Sequence, residues 1–128
     1  MNSYRIAGLI WLVMISIFPV ALVQPAFGRD SAHKIIDIRI ENRKIVSPKG
    51  AIRALEADVL ELRWLSDEAT QLHLHGYDKK LNLRPGKPGV MSFTAGATGR
   101  FPITSHGWGK HGRGHGHHAL THLEVYPR

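Results

Sequence analysis

Apolar and polar residues alternate along most of the chain in short runs. On a strand, residues i and i+2 share a face, so period-two alternation predicts half-buried strands. Residues 35–40 place Ile36, Ile38 and Ile40 on one face. Residues 59–65 set Leu60, Leu62 and Trp64 against Val59, Glu61, Arg63 and Leu65, and the first set is predicted to face the core. Residues 70–75 oppose Leu72 and Leu74 to His73 and His75. Further strands are predicted over 51–55, 79–84 (Leu81 and Leu83 inward), 90–95, 100–105 and 121–126 (Thr121, Leu123 and Val125 inward), with a short extended piece at Lys44-Ile45-Val46. Between them lie turn signals: Asn42, Pro48 and Gly50, the polar turn Glu56-Ala57-Asp58, the connection 66–69, and Pro85-Gly86-Lys87-Pro88-Gly89. Residues 29–128 hold no sustained 3.6-residue pattern. Seven or eight short strands with regular turns predict an all-β sandwich or barrel.

The N-terminal stretch is different. A short segment with one positive charge precedes the nearly unbroken apolar residues 6–23, and Ala26-Phe27-Gly28 supplies small residues before a cleavage point. This layout predicts a secretory signal peptide over 1–28, against the alternative of an uncleaved anchor, and a single domain over 29–128. That domain can bury a core by packing alone, and it must, because the chain has no cysteine. The expected location is periplasmic or secreted. The net charge of +7 is spread along the chain, which reads as a solvated surface and, with export, argues against nucleic acid as a partner.

Histidine carries the chemistry. Seven of the nine histidines fall in two places, His73 and His75, then His106, His111, His115, His117 and His118. Residues 106–118 hold five histidines and five glycines and form a Gly/His-rich loop. A strand pair of imidazoles beside such a loop predicts a transition-metal site at His73, His75 and His106, with His111, His115, His117 or His118 as auxiliary ligands and His111 and His115 counted among the metal residues. All-imidazole sites suit Cu(II), Zn(II) and Ni(II). A blue-copper centre is excluded, since it needs a cysteine thiolate, and Met91, the one methionine of 29–128, reads as core. Asp67, Glu68 and Asp78 read as ordinary turn carboxylates, so no catalytic base is evident. The glycine-rich run precedes no helix and is not a phosphate loop.

These residues resemble a family. The order His73-Leu74-His75-Gly76, Pro85-Gly86, Phe93-Thr94-Ala95, Gly99-Arg100-Phe101, Ser105-His106 and Leu123-Glu124-Val125 is similar to small periplasmic cupredoxin-like proteins, including the cupredoxin domains of bacterial iron-uptake proteins, oxidase subunit II copper domains and single multicopper-oxidase domains. The resemblance spans about Ile35 to Pro127. It implies a Greek-key β-sandwich with a metal site at one end, between two loops. It places the upstream ligand at His73 or His75 and starts the downstream ligand loop at Ser105-His106. Ser105 stands where electron-transfer members carry cysteine, and no methionine follows.

The sequence therefore predicts an exported cupredoxin-fold protein that binds and handles copper through histidines. It is expected to be neither an enzyme nor an electron carrier. Its partners are a metal ion and a periplasmic or membrane protein. The alternative is a metal-free β-sandwich adaptor that binds a protein and carries the His-rich segment on its surface.

Overall fold

A computed structural model describes residues 31–108 and 119–128. Nine strands and no helix make up these residues: β1 (His33–Glu41), β2 (Lys44–Ser47), β3 (Ile52–Leu55), β4 (Val59–Ser66), β5 (Thr70–Leu74), β6 (Lys79–Leu83), β7 (Gly89–Thr94), β8 (Gly99–His106) and β9 (Ala119–Tyr126). The expected seven or eight become nine because the short piece at Lys44 is a strand, paired antiparallel with β1. The signal-peptide reading of 1–28 lies outside the described residues. Among those residues no helix is long and apolar enough to cross a membrane.

The strands form two sheets, a four-stranded one in the order β2-β1-β4-β7 and a five-stranded one in the order β3-β9-β8-β5-β6. Two pairings are parallel, β1 with β4 and β3 with β9. Parallel neighbours need crossover connections, so the chain passes from sheet to sheet as in a Greek key. The inner faces follow the alternation. Ile38, Ile40, Leu60, Leu62, Trp64 and Met91 from the first sheet meet Leu72, Leu74, Ile103, Leu123 and Val125 from the second, all nearly or fully buried. Trp64 is fully buried, and among the described residues its indole N–H has no hydrogen-bond partner. The ring serves as core volume there.

Two local differences have physical causes. The strand expected over 70–75 ends at Leu74, because Gly76 adopts a φ of 82° and turns the chain. A side chain at Gly76 would also collide with the Phe101 ring, so both conformation and space require glycine. Secondly, the polar turn at Glu56-Ala57-Asp58 hides its carboxylate. Asp58 is fully buried and accepts hydrogen bonds from the backbone N–H of Leu55 (2.9 Å) and Ala32 (3.4 Å). Its oxygens also receive Lys34 Nζ (3.1 Å) and the Arg128 guanidinium. A buried charge survives only when paired and hydrogen-bonded, and here it ties the start of β1 to the residues after β9.

Candidate metal centre

Leu72 and Leu74 of β5 face the core, so His73 takes the outer face of the five-stranded sheet. There it lies directly opposite Thr104 of β8. Two residues further along β8, His106 shares Thr104's face. His75 sits just past the end of β5, where its N–H donates to the Pro102 carbonyl (3.0 Å). The three imidazoles are half-buried, and each can offer a nitrogen within 4.8 Å of the others. The His73 and His75 rings stand 4.0 Å apart at their centroids, and those of His73 and His106 6.5 Å.

Oxygen atoms hold the rings in place. His75 Nε2 and His106 Nε2 both contact the Thr104 hydroxyl, at 2.9 and 3.1 Å. His73 Nε2 lies 3.0 Å from Asp78 Oδ1. An ionised carboxylate only accepts, so His73 donates Nε2–H, and in the neutral ring Nδ1 keeps its lone pair. The turn after His75 makes this contact. Gly76 reverses the chain, and Tyr77 packs on Phe93 and Phe101 with its hydroxyl donating to the Ala97 carbonyl (2.8 Å). Asp78, at a φ of 48°, then folds back to His73. The same conformation is tolerable for aspartate and poor for branched residues.

The exit of β8 is anchored as well. Thr70 donates its hydroxyl to the His106 carbonyl (3.0 Å). Trp108 lies 5.9 Å beneath the Arg43 guanidinium, which is itself forked onto Glu68 (3.0 and 3.1 Å). Lys80, the cross-strand neighbour of His73, brings a positive charge to the site's rim, with Asp78 as the opposing charge. A cavity of about 790 Å³ lies over the other sheet between Asp37, Arg63 and Pro88, away from the triad.

The structure thus brings together His73, His75 and His106. His111 and His115, with His117 and His118, lie outside the described residues. His122 faces outward on β9, 3.4 Å from Arg100, and His33 sits on the other sheet 3.9 Å from Glu61. One expectation changes. The resemblance implied a site at one end between two loops, but the triad lies over the sheet face around Thr104, because the register sets His73 opposite Thr104 and His106 opposite Gln71. Ser105 pairs with Leu72 on the inner face and is buried, turned away from the histidines. Thr104 and Asp78 are site residues that the pattern of the sequence does not single out, Asp78 having the look of an ordinary turn carboxylate. The available signals were Thr104's place two residues before His106 and Asp78's place just after a turn glycine.

The donor set fits a divalent transition ion. Three imidazoles in a chain without a thiolate suit Cu(II), Zn(II) or Ni(II). With metal–nitrogen bonds of about 2 Å, ligand nitrogens come within roughly 3–4 Å of one another. The rings therefore need to close in by only about an ångström from their present spacing.

No known sequence family and no curated protein matches the chain. Solved structures do resemble it. One chain of a heme-copper terminal oxidase dimer aligns over 81% of this chain and 74% of its own, with a TM-score of 0.60 and 21% identity. A multi-copper oxidase from Pseudomonas thermotolerans aligns over 77% of this chain and 30% of its own (TM-score 0.54, 16% identity). A blue copper oxidase from Nitrosomonas europaea aligns over 74% and 44% (TM-score 0.51, 15% identity). The chain spans under half the length of these last two oxidases. The class these matches define is the cupredoxin-like β-sandwich, and this chain has that fold.

Proposed function

We propose that this protein is an exported copper-binding protein that holds Cu(II) through His73, His75 and His106 and serves to bind, buffer or deliver the ion. The observation that carries this reading is the convergence of three half-buried imidazoles on one face, each ring already fixed by an oxygen partner. Metal-binding histidines are usually held through their other nitrogen in this way, as His73 is by Asp78. The solved structures of similar fold are copper proteins, which favours copper over zinc or nickel. The apolar N-terminal stretch favours export. Without a thiolate the site is not built for blue-copper electron transfer.

Calorimetric titration with Cu(II) and Zn(II) tests it. The intact chain is expected to bind Cu(II) at one site tighter than any that residues 109–118 offer, and the His73→Ala/His75→Ala variant to lose that site. Tight binding unchanged by this variant would leave residues 109–118 as a simple chelator and favour the adaptor reading.

A further inference from the structure

The register of β5 and β8 restricts which nitrogens can meet. His75 lies beside Pro102, and His106 is four residues further along β8. At about 3.4 Å per residue, the two backbones stand roughly 13 Å apart along the strand. Only the outermost ring nitrogens can approach one another across that span. Both Nε2 atoms do so, and both end on one atom, the Thr104 hydroxyl oxygen. Thr104 is only 6% exposed and lies on the strand between them, so water does not readily replace this oxygen.

A hydroxyl carries one hydrogen and two lone pairs. At most one of the two imidazoles accepts its hydrogen, and any other contact must be an Nε2–H donating to the oxygen. An Nε2 that binds a metal ion must present a bare lone pair to that ion. It can neither donate to Thr104 nor accept from it. An ion seated between His75 and His106 therefore ends both hydrogen bonds. His73 is exempt, because its Nε2–H on Asp78 leaves Nδ1 as the ligand atom.

This inference rests on the copper-binding reading of the triad and adds its control element. We propose that the Thr104 hydroxyl is a built-in competitor for the metal, which holds the Nε2 atoms of His75 and His106 in the metal-free protein and releases both when an ion binds. The hydroxyl keeps the empty site assembled and lowers its affinity. Release is assisted because the imidazoles have an internal partner waiting. Such a site suits an ion that is cargo, taken up and handed on, more than one held permanently.

The test uses the full chain with His111, His115, His117 and His118 all changed to alanine, so that residues 109–118 do not mask the triad. Cu(II) affinity is measured by competition with a chromophoric chelator, and release by stopped-flow transfer to excess chelator. Thr104→Val keeps the branched shape that suits a strand and removes the hydroxyl. With hydrogen bonds of ordinary net strength lost from the metal-free state, it should bind Cu(II) about tenfold more tightly and release it more slowly. Thr104→Ser keeps the hydroxyl and should stay near the parent. Thr104→Ala should follow the valine variant, and serves in its place if valine disturbs the strand. Equal or weaker binding by a folded hydroxyl-free variant overturns the competitor role and makes Thr104 an organiser or a ligand. If the parent itself binds no Cu(II), the copper-binding reading fails, and this inference fails with it.

Discussion

At the scale of single residues, the site depends on groups that are not themselves ligand candidates. Asp78 is 84% exposed on its side chain, yet its position beside Nε2 fixes which nitrogen His73 offers. Partners of this kind typically change metal affinity by 10- to 100-fold when removed, and an exposed carboxylate belongs at the lower end. Asp78→Asn is thus expected to weaken Cu(II) binding about tenfold in the titration. Part of that loss should vanish at high salt, because a negative charge beside His73 is lost along with a hydrogen bond. An unchanged affinity would mean that the His73 ring is held by packing against His75 alone.

At the scale of elements, alternation made the strands legible and left their ends obscure. Leu60, Leu62 and Trp64 face the core as the pattern of residues 59–65 predicts, and so do Leu72, Leu74, Leu123 and Val125. What period two cannot convey is register. The pairing of His73 with Thr104 depends on how two strands 30 residues apart slide past each other, and that brought a silent threonine into the site while turning Ser105 away from it. The turn at Asp58 shows the same limit, since its residues are polar and its carboxylate is nonetheless buried. Hydrogen bonding from the Leu55 N–H, aided by Lys34, outweighs burial and holds the Asp58 carboxyl below its ordinary range. A group with a lowered native pKa stabilises the fold above its unfolded value, near pH 4, and loses that contribution as pH falls through the native value. Urea midpoints measured from pH 7 down to pH 3 should therefore fall below about pH 4 in the parent. Asp58→Asn should be less stable at pH 7 by on the order of 3 kcal/mol, with a flatter acid limb. Parallel curves for the two proteins would remove Asp58 from the account of how β1 is tied to the residues after β9.

At the scale of the whole molecule, a two-sheet sandwich holds one outward face rigid enough to space three imidazoles. The fold class was readable from strand number and turn spacing, because a chain without cysteine or helical periodicity has few other ways to bury Ile, Leu and Trp at every second position. The histidine pair was readable from its spacing, and His106 from its place beside the glycine-rich run. Their arrangement over a sheet face was not, since it is a product of packing and not of local pattern. The central claim is that the described triad, and not the run 109–118, is the copper site. The most direct measurement is the electron paramagnetic resonance spectrum of one equivalent of Cu(II) on the full chain with His111, His115, His117 and His118 changed to alanine. The account predicts a single Cu(II) species coupled to three imidazole nitrogens, abolished by the further change His73→Ala/His75→Ala. A spectrum of free or heterogeneous Cu(II) from the four-alanine protein, beside a well-defined one from the parent, would contradict it.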